Sequence, residues 1–329
     1  MRRRDLLTGS LLGISALSLG RADAGQIPPA ADNAWPTPAS FISLWPGVPP
    51  GALDKLPVEA VTERSQDQET HDRVVRGVAN PRLAVFPPAN PNGSALLIVA
   101  GGGYSYIAID REGYEVAARF AAAGVTCFVL TYRLPGEGWK ESWNVPLADG
   151  QRAMRIIRRD ADHYGINREK VACIGFSAGG HLACDLTARF AVPVYQPVDQ
   201  ADALTARPDL SALMYPAQSM LAATAHAGSR NNLLGPSPNP ETERTASPYL
   251  NLTPQSPPCF LVHAEDDPAV SPDNTLLFRA ALRANGGVAQ THLFAEGGHG
   301  FGLRRAAGKP CAVWPDLLLA FARSHALFG

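Results

Sequence analysis

The run Lys170-Val171-Ala172-Cys173-Ile174-Gly175-Phe176-Ser177-Ala178-Gly179-Gly180 joins a short apolar segment to a serine framed by small residues. Residues 170–175 read as a buried strand, and residues 179–190 carry helical spacing. A strand that turns into a helix within so few residues needs small neighbours, and the turn lifts the serine hydroxyl clear of the sheet. A bare G-x-S-x-G pattern also fits a glycine-rich turn with an ordinary capping serine. The flanking strand and helix decide for the nucleophile, so Ser177 is the candidate.

Outward from this turn the same rhythm repeats. Strand-like runs fall at 95–100, 125–132, 210–215, 259–263 and 288–294, and helical patterns at 112–123, 147–164, 272–284 and 314–328. Most of these strands are continuously apolar, which predicts burial on both faces. The expected class is α/β, a mostly parallel central sheet with helices on both faces. In such sheets ligands meet the carboxyl ends of the strands, so functional residues should follow the apolar runs.

Serine is a weak nucleophile until a base takes its proton. His299, in Gly297-Gly298-His299-Gly300-Phe301-Gly302, follows the last strand-like run and is the candidate base. A carboxylate is then needed to orient the imidazole and stabilise its charged form. Asp267 is chosen from Ala264-Glu265-Asp266-Asp267, with Asp266 as the fallback. The order Ser, Asp, His differs from the chymotrypsin and subtilisin orders of the same triad. Activity is expected to fall on acidification, because the base is a histidine.

Attack at a carbonyl creates an oxyanion that needs preorganised N–H donors. One is the N–H of Ala178. The others are expected in Gly101-Gly102-Gly103-Tyr104, after the run at 95–100, with Gly102 and Gly103 favoured and Tyr104 as a donor or pocket wall. Trp139 and Trp143 are candidates for an aromatic platform under a sugar ring. His181 follows Ser177 by one helical turn and is read as packing, while His71, His163, His226, His292 and His325 are read as surface or structural.

The bulk properties narrow the field. Across 329 residues, 29 Lys and Arg nearly balance 30 Asp and Glu, leaving no long-range field for nucleic acid. The five cysteines form no zinc-like pattern, so no metal is expected; those at 127, 173 and 259 read as small buried hydrophobes, and one disulfide is left open. Residues 1–24 read as an export signal, with Arg2-Arg3-Arg4, an apolar run and Ala22-Asp23-Ala24. The arginines resemble a twin-arginine signal. The apolar run, about 14 residues, is shorter than the ~20 of a spanning helix, so cleavage and a periplasmic or secreted protein without stable membrane insertion are expected. Residues 25–80 read as an arm with short strands at 73–78 and 83–86 near its end. Residues 81–329 read as the catalytic domain, with a loop insertion or partial lid at 217–251.

From about Ser94 onward the chain resembles the bacterial carbohydrate-esterase-like α/β-hydrolases, which include acetyl xylan esterases and feruloyl-esterase-like proteins and are related to the hormone-sensitive-lipase-like esterases. The likeness is carried by Gly101-Gly102-Gly103-Tyr104, Tyr132-Arg133-Leu134, Pro146-Leu147-Ala148-Asp149, Gly175 to His181, and the loops of Asp267 and His299. It departs at Ala100, where the lipase-like relatives usually carry histidine. The resemblance implies the α/β-hydrolase fold and hydrolysis of a small ester or acylated polysaccharide through an acyl-enzyme, without a cofactor. Acetyl on a plant polysaccharide such as xylan is the first expectation. A feruloyl or general short-chain ester comes second. A prolyl-oligopeptidase-like peptidase is a further alternative, although only about 55 residues precede the core, and a non-catalytic binding module is the last.

Overall fold

Strands without polar interruptions need cover on both faces, and the computed structural model, which describes residues 35–67 and 69–329, places them in the middle of one sheet. Residues 1–24, read above as an export signal, lie outside the described residues. In chain order the strands are β1 (Ser40–Ser43), β2 (Ala60–Glu63), β3 (Arg73–Arg76), β4 (Arg82–Phe86) and β5 (Ala95–Val99). They continue with β6 (Thr126–Thr131), β7 (Val171–Phe176), β8 (Leu210–Met214), β9 (Cys259–Ala264) and β10 (Ala289–Phe294). The helices are α1 (Glu115–Ala121), α2 (Val145–Arg159), α3 (Ser177–Arg189), α4 (Ala227–Leu234), α5 (Pro240–Thr245), α6 (Asp273–Ala284) and α7 (Trp314–Ser324).

The main sheet has eight strands in the order β1-β4-β6-β5-β7-β8-β9-β10. Pairing is antiparallel for β1 with β4 and β4 with β6, and parallel from β6 through β10. Every residue of β5 to β9 is buried. Since successive side chains point to opposite faces, both faces of the central sheet are covered. Each buried Val, Leu, Ile or Phe there contributes about 1.5–3 kcal/mol of transfer free energy. β10 is the exception: it is half-buried because it forms the sheet edge.

Chain direction across the sheet reverses at β5, which lies between β6 and β7. The loops leaving β5 and β7 therefore open beside each other, with Val99 paired to Gly175 at their ends. This is the switch point at which open α/β sheets form their ligand crevice.

Several elements differ from the sequence reading. β1 and β2 had no expectation, and β2 pairs only with β3 in a separate two-stranded sheet. The pattern at 112–123 begins as a wide π turn over Asp110–Tyr114 before α1. Residues 217–251 hold the short helices α4 and α5 where a loop was expected.

The later part of the arm is tied into residues 35–329, which form one compact unit. Arg133 and Asp149 pair through two nitrogens, with the Nη2 contact at 2.7 Å, and neither side chain has exposed surface. Trp45 donates its indole N–H to Asp149 at 2.9 Å, and Arg133 also donates to the Pro50 carbonyl. The arm thus completes the partners of a buried ion pair. All five cysteines are free and buried. No helix of the described residues is long and apolar enough to cross a membrane.

Candidate active site

Ser177 sits where β7 becomes α3, with φ at +53° after an extended Phe176. A left-handed non-glycine residue costs of order 1–3 kcal/mol, and the close packing around the turn holds it there. A Cβ on Gly179 would fall 2.3 Å from the Val99 carbonyl oxygen, and one on Gly175 would fall 2.2 Å from the Gly179 oxygen. The glycines of the motif are therefore a packing requirement: β5, β7 and α3 meet only because those side chains are missing.

The structure brings Ser177, His299 and Asp267 into one hydrogen-bonded chain. Ser177 Oγ lies 2.8 Å from His299 Nε2, and His299 Nδ1 lies 2.7 Å from Asp267 Oδ2. Asp267 also accepts the N–H groups of Ala269 and Val270 on Oδ1, both at 2.9 Å. Burial by itself would raise the Asp267 carboxyl. Hydrogen bonds from His263, His299 and the Val270 N–H outweigh it and hold the group well below the usual carboxylate range. Asp266, the fallback, instead accepts the Gly298 N–H at 2.8 Å and braces the loop of His299.

Gly102, Gly103, Ser177 and His299 line one pocket of about 460 Å³. The N–H groups of Gly102 and Gly103 donate to no acceptor among the described residues, and that of Ala178 lies in the first turn of α3, where no helical acceptor exists. Gly102 has φ +137°, and a Cβ there would meet the Tyr106 carbonyl oxygen at 2.1 Å. The loop is fixed from behind by Glu112, which is 2% exposed. Its Oε2 accepts the Gly101 N–H at 2.9 Å, and its Oε1 accepts the Tyr215 hydroxyl at 3.0 Å. That hydroxyl in turn accepts the Gly302 N–H at 3.0 Å. One carboxylate thus links the loop after β5, the end of β8 and the loop carrying His299.

Three expected contacts are corrected. Tyr104 turns its hydroxyl away from the pocket to His181 Nδ1 at 2.7 Å, while His181 Nε2 reaches the Ala246 carbonyl at 2.8 Å. Trp139 is buried against the Arg133 guanidinium, 4.9 Å from its ring centre. Trp143 stands in the same relation to Arg189, also at 4.9 Å. Neither tryptophan lines the Ser177 pocket, because each is held against a buried guanidinium outside it.

His226, read as surface or structural, lines the pocket beside His299. Its Nδ1 accepts the Ser229 N–H at 3.2 Å, which leaves the proton of the neutral ring on Nε2. Burial, and then the neighbouring His299, push this imidazole below its ordinary value. Asn232, on α4, donates to the Gly103 carbonyl at 2.8 Å and fastens the insertion to the glycine loop. Among the described residues no cluster of three or more His, Cys, Asp or Glu side chains is placed to hold a metal ion.

Comparison with known proteins agrees with this architecture. An acetylxylan esterase of Xylanibacter ruminicola is 31% identical over 67% of this chain and 44% of its own length. Endo-1,4-beta-xylanase B of Butyrivibrio fibrisolvens is 34% identical over 62% of this chain and 32% of its own length. The chain therefore spans less than half of either relative. Among solved structures, an acetyl ester-xyloside bifunctional hydrolase from Caldicellulosiruptor lactoaceticus superposes with a TM-score of 0.73 at 28% identity, covering 88% of this chain and 97% of that one. The BD-FAE family model matches residues 83–282, from β4 almost to the end of α6, and so takes in both Ser177 and Asp267. The resemblance drawn from the motifs is borne out: this chain has the α/β-hydrolase fold and belongs to the BD-FAE family.

Proposed function

We propose that this chain is a serine carboxylic-ester hydrolase that removes short acyl groups, acetyl first, from a plant polysaccharide such as xylan. The observation that carries the reading is the hydrogen-bonded chain from Ser177 through His299 to Asp267, opening on a pocket whose glycine loop offers unpaired N–H groups. Ser177 Oγ attacks the ester carbonyl while its proton passes to His299 Nε2. Asp267 stays ionised and stabilises the imidazolium. The N–H groups of Gly102, Gly103 and Ala178 meet the oxyanion, and His299 returns the proton to the departing alcohol. Water then repeats the path on the acyl-enzyme and frees the acid.

The pocket lining is polar, with Tyr106 as its one Trp, Tyr or Phe among the described residues. That suits a hydroxylated alcohol and a small acyl group better than an aromatic acyl chain such as feruloyl. The relatives named acetylxylan esterase and acetyl ester-xyloside hydrolase support the same choice. An exported enzyme would meet such a polymer outside the cytoplasm, which fits the signal-like pattern of residues 1–24.

The test is acetate release from acetylated xylan by the protein and by Ser177→Ala. Release by the parent and none by the variant is expected. No release from either would retire xylan as substrate, and equal release from both would overturn the serine mechanism.

A further inference from the structure

We propose that Arg64, Arg111 and Arg305 form an anion subsite on the wall of the Ser177 pocket, which receives a carboxylate carried by the ester substrate. The inference deepens the esterase reading and rests on it. The three arginines come from separate segments: the arm after β2, the turn ahead of α1, and the loop beyond His299. All three line the same pocket as Ser177 and His299.

The charges there do not balance. Asp72 is held by Arg64 Nη2 at 2.9 and 2.8 Å and lies 3.8 Å from Arg111 Nη1. Glu112 also borders the pocket and keeps its charge while it accepts the Gly101 N–H and the Tyr215 hydroxyl, so three guanidinium groups meet two carboxylates there. Arg305 is exposed and makes no side-chain hydrogen bond or ion pair among the described residues, and Arg111 Nε is buried without an acceptor. Burial, and then the neighbouring Arg111, push the Arg305 guanidinium down. Nearby arginines outside this wall have their own counter-charges, as in Arg73 with Asp110 and Arg82 with Glu59. Arg64 and Arg305 are exposed and Arg111 is half-buried, so the three like charges share one wall of a cleft that solvent and an anion can both enter.

The subsite lies within reach of the chemistry. A Cβ on Gly300, next to His299, would lie 3.5 Å from Glu112 Oε1 and 3.8 Å from Arg111 Nη2. Planar guanidinium forks match a carboxylate in bidentate geometry. Such an anion can belong to the alcohol, as a uronic acid on the acetylated saccharide, or to the acyl group, as a dicarboxylic half-ester.

Two paired probes separate these sources. Calorimetry on Ser177→Ala compares an acetylated xylo-oligosaccharide bearing one uronic acid with the same compound blocked as its methyl ester. Turnover by the parent compares 4-nitrophenyl hemisuccinate with 4-nitrophenyl butyrate. One pair should show a preference of about tenfold or more for the charged member, shrinking with added salt. In Arg111→Gln and in Arg305→Gln that ratio should fall toward unity. Equal behaviour within both pairs overturns the subsite, and so does a preference that neither variant reduces. Turnover of neutral 4-nitrophenyl acetate by the parent reports separately on the esterase reading, since the binding comparison needs no hydrolysis.

Discussion

His263 Nε2 lies 3.2 Å from Asp267 Oδ2, the same oxygen that meets His299 Nδ1 at 2.7 Å. His263 is fully buried on β9, its Nδ1 held 2.7 Å from the Thr275 hydroxyl and its Nε2 3.0 Å from the Val270 carbonyl. A second imidazole therefore supports the carboxylate from inside the sheet. Replacing it in His263→Leu removes a donor from a buried carboxylate and is expected to lower kcat by about tenfold, on the scale of a lost hydrogen bond to a charged group. Steady-state kinetics beside a thermal melt checks it, and unchanged kcat in a folded variant would remove His263 from the positioning of Asp267.

Asp267→Asn should keep the fold near neutral pH and lose about 10³–10⁴ in kcat, because an amide favours the wrong imidazole tautomer. Its stability carries a pH signature. The folded carboxyl is held below its ordinary value, so its contribution is complete above the unfolded value of ~3.9 and is lost as pH falls below that toward the folded value. Denaturant unfolding should give a constant gap between parent and variant from about pH 7 to 5, shrinking below about pH 4. A gap that shrinks between pH 7 and 5 contradicts the depressed carboxyl.

Ser177→Gly is expected to abolish hydrolysis and to raise stability by about 1 kcal/mol, since glycine adopts a positive φ without a Cβ penalty. The melting temperature reads this directly. A fall would mean that the serine hydroxyl contributes more to the turn than its backbone costs.

Gly102→Ala and Gly103→Ala should separate. The first places a methyl 2.1 Å from the Tyr106 carbonyl oxygen, whereas the second meets nothing nearer than the Ser229 hydroxyl at 4.0 Å. Loss of about 10²-fold or more in kcat is expected for Gly102→Ala, on the scale of a removed oxyanion donor, and a smaller loss for Gly103→Ala. Equal losses would show that the strained φ of both positions, rather than the collision, sets the loop.

Asp149→Ala leaves the Arg133 guanidinium buried without its counter-charge and strips the Trp45 indole of its acceptor. Breaking one side of such a pair costs about 3–5 kcal/mol, which urea unfolding would show as a lowered midpoint. A change below about 1 kcal/mol would mean that water reaches Arg133 when the carboxylate is gone.

The readable parts of the sequence were those where one local signal fixed one local outcome. β5 to β9 were legible as apolar runs, Ser177 and Asp267 because each follows such a run, and His299 because its glycine-rich loop follows the strand-like run at 288–294. β1 was not, since its Ser-Phe-Ile-Ser is exposed on three of four residues and acquires its identity by pairing with β4. Helix α4 buries only Ser229 and Leu233, too few to mark a face. Trp139, Trp143 and Tyr104 were placed by nearness in sequence to the glycine loop or to a sugar-binding expectation, while buried Arg133, Arg189 and His181 decide where they point. His226 and the three arginines converge from distant segments, and no spacing in the chain announces that meeting.

His299 stands 122 residues beyond Ser177, past the strand that closes the sheet edge. As the N-terminus emerges first during synthesis, Ser177 and the glycine loop are complete while His299 has yet to be made. A chain that stops before Ala289 offers an open β9 edge, which invites pairing with other chains, and holds a serine with nothing to take its proton. On the proposed reading Ser177 therefore gains its base only once synthesis has passed His299, and shorter copies present an open sheet edge beside a serine of much reduced reactivity.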